Sequence, residues 1–112
     1  MVKGYIPKRG DVIWLEFNPQ AGHEQARKRP ALVISPEAYN FKTSLLLVCP
    51  ITSQIKGYPF EVKIPSGLQI QGVILSDQVK SLDWQARNAQ IACQVPEFVV
   101  QEVIEKIRVL ID

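Results

Sequence analysis

Histidine and cysteine are scarce in this sequence, which contains one histidine and two cysteines. Cys49 and Cys93 lie far apart and among apolar neighbours, so we predict two reduced thiols in the core rather than a disulfide or a redox pair. No two carboxylates have the spacing of metal ligands on one element, and the six glycines form no phosphate-binding fingerprint. The sequence therefore predicts no metal site, no nucleotide-dependent chemistry and no cofactor.

Long apolar segments are also absent. The longest run, residues 45–51, is far shorter than the roughly 18 residues of a membrane-spanning helix. The charged residues 1–11 lack the apolar core of a signal peptide, so we expect a cytoplasmic protein. With 112 residues, of which 46% are hydrophobic, the chain is long enough for its own core, and we assign residues 1–112 to a single domain.

The charge is small but unevenly distributed. The formal net charge is +2, yet residues 1–60 contain eight Lys and Arg against four Asp and Glu, whereas residues 61–112 contain five against seven. A basic first half would suit a polyanionic partner, although an ordinary mixed surface explains the same numbers equally well.

Short β-type runs separated by turn residues dominate what the sequence does contain. Alternation and β-branched residues predict strands at 12–17, 31–34, 45–51, 60–64, 72–75 and 78–82. The run at 45–51 is nearly all apolar, which predicts a central strand covered on both faces. Several short strands at this spacing indicate a small barrel or sandwich, in a mainly β protein with short helices (α+β).

Two helices are predicted. Proline in the first turn and a following acid indicate a short helix from Pro36 to Phe41. A C-terminal amphipathic helix begins after Pro96 and should pack on the strands. Its apolar residues recur at helical spacing: Val99, Val103, Ile104, Ile107 and Ile111.

A polar loop separates the first two predicted strands and is the first candidate site. Within seven positions it contains an imidazole, a carboxylate and three cations: His23, Glu24, Arg27, Lys28 and Arg29. Such loops are often no more than solvated surface. Arg29, however, precedes a proline at the start of a buried strand, where the backbone is restricted and a guanidinium can be aimed.

The end of the strand at 45–51 is the second candidate site. Thr52 and Ser53 place two hydroxyls there, and a simple turn-forming pair explains them equally well.

Four segments occur along the chain in a recognisable order: GDVIWL (10–15), G-x-EQ (22–25) leading into RPALVIS (29–35), PITS (50–53) and DQVKS (77–81). Together they resemble the MazF/PemK family of toxin endoribonucleases. The resemblance extends from the first of them to the end of the C-terminal helix. It implies an SH3-like small β-barrel, a homodimer and metal-independent cleavage of single-stranded RNA at short sequences. It also implies a cognate antitoxin, whose acidic disordered tail wraps the toxin dimer.

The resemblance assigns roles to individual residues. Glu24 and Arg29 occupy the positions of the family's acid/base pair, and Thr52 occupies that of a hydroxyl that contacts substrate. His23 matches the members that have histidine before the glutamate, whereas other members have serine there.

The region of the fourth segment matches the family at two positions and differs from some of its members at a third. Asp77 and Gln78 match the Asp-Gln of the family. Some PemK-like members have a catalytic arginine two residues before that aspartate, where this chain has Leu75. We therefore expect Arg29 to be the principal cation.

The chemistry of the residues agrees with these roles. Without a metal, the 2′-hydroxyl of RNA must attack the neighbouring phosphate, so the site must remove a proton, stabilise a phosphorane and protonate the leaving 5′-oxygen. Glu24 or His23 could be the base, while Arg29 binds the developing anion. Thr52, with Ser53, would add neutral hydrogen bonds. Because arginine is a poor acid, the last proton comes from His23 or water, and the sequence leaves that choice open.

RNA recognition needs further residues, typically a basic groove with planar side chains on which bases stack. Besides Asp77 and Gln78, the candidates are Arg27, Lys28, Ser53, Lys56, Tyr58 and Lys80. Tyr58 could equally cap an edge of the barrel. Trp14 and Trp84 are predicted in the core or the dimer interface.

Two other functions remain open from the sequence. One is a non-catalytic toxin of the same fold that poisons gyrase, and the other is an SH3-like module that binds peptides in a groove. Glu24 together with Arg29 and Pro30 favours the nuclease.

Overall fold

The computed structural model describes residues 4–17 and 28–112. It contains seven strands, β1 (Asp11–Glu16), β2 (Lys28–Val33), β3 (Leu45–Thr52), β4 (Glu61–Lys63), β5 (Val73–Leu75), β6 (Lys80–Asp83) and β7 (Gln90–Gln94). Two helices complete it, α1 (Glu37–Thr43) and α2 (Glu97–Ile111).

The strands form one antiparallel sheet in the order β4-β5-β3-β2-β1-β7. β3 has a third neighbour, because its first half pairs with β6 and its end pairs with β5. The mainly β, α+β prediction is confirmed. The predicted barrel is not closed, since within residues 4–17 and 28–112 the pairing path ends at β4 on one side and at β7 on the other.

Two apolar cores lie on the two faces of the inner strands, because successive side chains of a strand point to opposite faces. Val12 and Leu32 belong to one core, whereas Ile13 and Ala31, one position along in each strand, belong to the other. Cys49 is fully buried in the first core, where burial raises the pKa of its thiol to about 12. Cys93 is partly buried against the same core, as the sequence predicted.

β3 is central, as predicted, but it is not covered on both faces along its whole length. In its first half Leu46 and Val48 are buried, whereas Leu45 and Leu47 are each 36% exposed. The face of β3 that carries these two leucines is buried only in the second half of the strand, which packs into the first core.

α1 is held by a buried hydrogen-bond network around Asn40. The Asn40 amide donates to the carbonyl of Pro7 (2.7 Å), the Ser35 hydroxyl donates to Asn40 Oδ1 (2.6 Å), and the Trp84 indole donates to the Asn40 carbonyl (2.9 Å). These bonds connect the segment before β1, the helix and the end of β6. Because buried polar groups are costly when unpaired, the network helps to specify this arrangement.

α2 begins after Pro96, as predicted, and packs with Val99, Val100 and Val103 buried. Ile111 was predicted on the packed face but is 75% exposed. Apolar residues recur at helical spacing through the last turn of α2, but the core that the helix covers ends before that turn. No helix in the described ranges combines the length and apolar character needed to cross a membrane.

Candidate functional site

Strand pairing brings the two candidate sites of the sequence together. Because β2 and β3 are antiparallel with Ala31 opposite Pro50, the start of β2 lies beside the end of β3. A cleft of about 520 Å³ opens there. It is lined by Trp14, Lys28, Arg29, Pro30, Ile51, Thr52, Ser53, Gln54, Gln69, Ile70 and Gln71.

The cations lie on the β2 side of this cleft. Arg29 is the second residue of β2, exposed and opposite Leu15 of β1. Lys28 is exposed beside it, and its ammonium donates to Oε1 of Gln90 on β7 (2.8 Å). An ammonium has three donors, so this bond fixes the direction of Lys28 and leaves donors for an anion in the cleft.

Thr52 ends β3 in the middle of the cleft. Its Oγ1 accepts a hydrogen bond from the backbone N–H of Gln54 (3.1 Å). Since the hydroxyl oxygen acts as an acceptor here, its own hydrogen can be donated to a ligand. Ser53 follows, exposed at the same end of the strand.

The third side of the cleft consists of Gln69, Ile70 and Gln71, which we call the glutamine wall. These residues belong to the connection between β4 and β5 and were not predicted as site residues. A Cβ at Gly72, the next residue, would lie 2.3 Å from the backbone oxygen of Thr52, so only glycine permits this approach. The sequence signal that could have identified this wall is an apolar residue flanked by two polar ones, in a short segment between two glycines.

Three other predicted RNA contacts, Lys56, Tyr58 and Asp77, lie in a separate group together with Gly57 and Glu61. We call these five residues the Tyr58 cluster. The Tyr58 hydroxyl donates to Asp77 Oδ1 (2.8 Å), and this bond is the main cause of a raised pKa of Tyr58. The Glu61 carboxylate accepts the backbone N–H groups of Lys56 and Gly57 (2.9 Å each).

Two further predicted residues lie outside both the cleft lining and the Tyr58 cluster. Gln78 is exposed next to Asp77, with its backbone N–H donating to the carbonyl of Leu75 (3.1 Å). Lys80 is exposed at the start of β6, opposite Val48 of β3. Of the predicted site residues, the structure brings Lys28, Arg29, Thr52 and Ser53 together along one cleft.

His23, Glu24 and Arg27 lie outside the described residues. The described segment before them is bonded to the connection between β6 and β7, and the segment after them is bonded to the first residue of β7. Arg87 donates to the carbonyls of Glu16 and Phe17 at the end of β1. Lys28, at the start of β2, donates to Gln90 as described above.

An apolar groove of about 1150 Å³ borders the cleft, and Trp14 lines both. Its other large apolar residues include Phe41, which is 65% exposed, and Ile91, which is 48% exposed. Trp84 is buried in one core and Trp14 is half-buried against the other. A place for either residue in a dimer interface stays a prediction.

Metal binding has no candidate in residues 4–17 and 28–112, where no three His, Cys, Asp or Glu side chains are grouped to hold an ion. What the cleft offers is two cations, two hydroxyls and three neutral glutamines. Cations and hydroxyls of this kind bind phosphate, through charge-assisted and neutral hydrogen bonds respectively.

Comparison with known proteins gives consistent results. The family model of the PemK-like, MazF-like toxin of type II toxin–antitoxin system matches residues 8–111. The chain is 50% identical over 111 residues to the endoribonuclease toxin MazF of Escherichia coli (strain K12), covering 99% of both chains. It is 32% identical over 108 residues to the endoribonuclease PemK of Escherichia coli, covering 93% of this chain and 81% of that one.

Solved structures resemble the fold equally well. A crystal structure of MazF from Deinococcus radiodurans matches with a TM-score of 0.87 and 50% identity, covering 96% of this chain and 98% of that chain. A crystal structure of MazE-MazF from the same organism matches with a TM-score of 0.90 and 50% identity, covering 96% and 97%.

Proposed function

Because the chain belongs to the PemK-like, MazF-like family of type II toxin–antitoxin toxins, we propose that it is a metal-independent, sequence-specific endoribonuclease acting on single-stranded RNA. Its substrate is mRNA, and the protein is the toxin of such a system. The observation that carries the proposal is the cleft in which Arg29 and Lys28 stand beside Thr52 and Ser53. The names of the relatives favour this function over gyrase poisoning and over peptide binding.

The reaction uses the nucleophile of the RNA itself. The 2′-hydroxyl attacks the adjacent phosphorus, the bond from phosphorus to the 5′-oxygen breaks, and the products are a 2′,3′-cyclic phosphate and a 5′-hydroxyl. Glu24, or His23, removes the proton of the 2′-hydroxyl. His23 or water supplies a proton to the 5′-oxygen. Each proton is thus accounted for without a metal ion.

Arg29 stabilises the phosphorane between these two proton transfers. Its planar fork of donors matches two phosphate oxygens through paired, charge-assisted hydrogen bonds. Thr52 adds a neutral donor, because its oxygen already accepts the N–H of Gln54 and its hydrogen is left for substrate. Lys28 adds a second positive charge at the same side of the cleft. Donors fixed before the reaction are effective because they need no reorganisation as charge develops.

The Tyr58 cluster, with Arg27, Gln78 and Lys80, contacts nucleotides that flank the cleavage site. The bond from Tyr58 to Asp77 holds the ring in one orientation, which suits stacking of an unpaired base. Lys56 and Lys80 are exposed and would bind flanking phosphates.

Two protein partners complete the proposal, a second copy of the chain and a cognate antitoxin with an acidic disordered tail. The MazE-MazF structures, which contain an antitoxin with a similar toxin, support the second partner. The excess of Lys and Arg in residues 1–60, eight against four acids, would attract an acidic tail. A toxin that cleaves mRNA acts in the cytoplasm.

The test is cleavage of an RNA oligonucleotide that contains a site mapped in a mixed RNA pool. In EDTA the protein should cut this RNA. It should leave uncut a matched oligonucleotide in which only the nucleotide 5′ of the scissile phosphate is 2′-deoxy, because that nucleotide lacks the attacking group. Cleavage of the deoxy oligonucleotide, or a requirement for a divalent ion, would remove the proposed mechanism.

A further inference from the structure

The two sides of the cleft differ in charge because they come from strands on opposite sides of β3. In the sheet β3 lies between β2 and β5. Lys28 and Arg29 enter the cleft from the β2 side, Thr52 stands at the end of β3, and the glutamine wall enters from the β5 side. Among residues 4–17 and 28–112, the cations of the cleft therefore lie on one side of the threonine, and neutral amides line the other.

The glutamine wall is anchored at several points. The N–H of Ile64 donates to the carbonyl of Gly72 (3.0 Å), which closes the connection between β4 and β5. Inside it, the Gln71 amide donates to the carbonyl of Leu68 (2.8 Å). Ile64 and Ile70 are both buried in the first core. Such anchors allow a side chain on the wall to discriminate between ligands, since recognition requires groups held in place.

The position of the wall is also fixed relative to Thr52. The Gly72 backbone packs directly against the Thr52 carbonyl, with φ +124 at the glycine and no space for a Cβ. Any group bound by the Thr52 hydroxyl is therefore held next to the wall. A volume of about 520 Å³ is within the about 300–1,000 Å³ of pockets that enclose small ligands, which leaves room for a base beside a phosphate.

Neutral amides and cations recognise different parts of a nucleic acid. Arg, Lys and hydroxyl groups bind phosphates without regard to sequence, whereas a glutamine amide offers a donor and an acceptor that match a base edge. In single-stranded RNA those edges are unpaired and accessible. A wall that combines amides with an apolar Ile70 thus has the chemistry of a base site rather than of a phosphate site.

We propose that Gln69 is a specificity-determining residue that hydrogen-bonds the edge of the base next to the scissile phosphate. This inference rests on the proposed function. Gln69 is chosen over Gln71 because the Gln71 amide is already donated to Leu68 within the wall. It is chosen over Gln54 because Gln54 lies within an exposed stretch, residues 53–57, whereas Gln69, itself exposed, adjoins the buried Ile70.

The test is to sequence the 5′ ends of fragments cut from a mixed RNA pool by the wild type, Gln69→Ala and Gln69→Glu. Gln69→Ala removes both hydrogen-bonding groups, and Gln69→Glu exchanges the donor for an acceptor at nearly constant shape. Gln101→Ala is the matched control, because Gln101 is an exposed glutamine on α2 whose amide bonds only Glu97 in the described structure (2.8 Å).

We expect Gln69→Ala to reduce the discrimination at one position of the cleavage sequence by about 10- to 100-fold, the range for one bidentate base contact. Gln69→Glu should change which base is preferred at that same position. The other positions, and all positions in Gln101→Ala, should match the wild type.

Two results would overturn the inference while leaving the proposed function intact. One is an unchanged base preference at every position in both Gln69 variants. The other is an equal loss of cleavage at all sequences in folded variants, which would make Gln69 a general contact. Failure of the wild type to cut any RNA is a different outcome, because it removes the proposed function itself.

Discussion

The cleft and the Tyr58 cluster contain similar polar side chains but bond them differently. In the Tyr58 cluster the polar groups bond to one another: Tyr58 donates to Asp77, and Glu61 accepts two backbone N–H groups. In the cleft Arg29 is exposed, and Thr52 retains a hydrogen to donate. Arg29 and Thr52 therefore have donors that could bind a ligand, whereas the polar groups of the Tyr58 cluster mainly fix the conformation of their own loop.

Because of this difference, we expect substitutions in the two regions to change different quantities, the cleavage rate in one and the stability in the other. A polar group that makes no contact needed by the fold can be removed at little cost in stability, since exposed substitutions usually change it by no more than about 0.5 kcal/mol. A group bonded within its own loop contributes to the conformation of that loop. Substitutions in the cleft should therefore reduce the rate of cleavage, and those in the Tyr58 cluster should act more on stability.

The largest effect is expected for Arg29→Ala. Removing one fixed donor to a developing oxyanion typically lowers the rate by about 10²- to 10³-fold, so the single-turnover rate on a short RNA should fall by that much. The free energy of unfolding in urea should be unchanged, because Arg29 is exposed.

Two variants sharpen this prediction. Arg29→Lys keeps the charge but loses the planar fork, so its rate should lie between those of wild type and alanine. Arg108→Ala, at an exposed arginine on α2, should cleave normally. A wild-type rate in Arg29→Ala would show that the cleft is not the reactive site.

A smaller effect, on both rate and stability, is expected for Gly72→Ala. The new Cβ would lie 2.3 Å from the Thr52 oxygen at φ +124, so the wall or the end of β3 must move. Steric crowding and the unfavourable backbone together should cost about 2–4 kcal/mol of unfolding free energy, measured by urea denaturation.

Gly67→Ala separates the two causes. Gly67 lies in the same connection at φ +95, but its Cβ would meet nothing within 4 Å. This variant should lose only the conformational part, about 1 kcal/mol, and should keep its cleavage rate. Equal losses in both variants would contradict the close approach of the wall to Thr52.

The smallest effect is expected for Tyr58→Phe, and it depends on pH. The bond to Asp77 raises the pKa of Tyr58 in the folded protein, so its stabilising contribution is present below the unfolded pKa of about 10 and lost as pH rises through the folded value. The wild type should therefore lose stability more steeply above about pH 10 than Tyr58→Phe.

Urea denaturation across this pH range measures the difference. Tyr39→Phe on α1, where Tyr39 is 40% exposed, is the control and should behave as the wild type. Cleavage by Tyr58→Phe at neutral pH should change little. Parallel pH curves for wild type and Tyr58→Phe would mean that the bond to Asp77 does not form in solution.

Much of the cleft could be predicted from the sequence because its polar residues adjoin strand ends. Arg29 precedes Pro30 at the start of one strand, and Thr52 ends the strand that pairs with it. The glutamine wall could not, because Gln69 and Gln71 reach the cleft only through the long connection between β4 and β5. The assignment of Glu24 and His23 stays a prediction.

The fold could be predicted to a similar degree. Runs of apolar and β-branched residues located the inner strands. β7 was not predicted, because glutamines occupy both its ends and Ile91 within it is 48% exposed. Ile111 was placed on the packed face by periodicity alone, yet it lies beyond the core that the rest of α2 covers, and a sequence pattern carries no information on where a core ends.

The central claim is that the cleft promotes attack by the 2′-hydroxyl of the RNA, and the chemical ends of the fragments test it most directly. Mass spectrometry of products formed by the wild type in EDTA should find a 2′,3′-cyclic phosphate, or the 3′-phosphate from its hydrolysis, on the upstream fragment and a 5′-hydroxyl on the downstream one. A 5′-phosphate on the downstream fragment would mean that water attacks the phosphorus, and would contradict the claim.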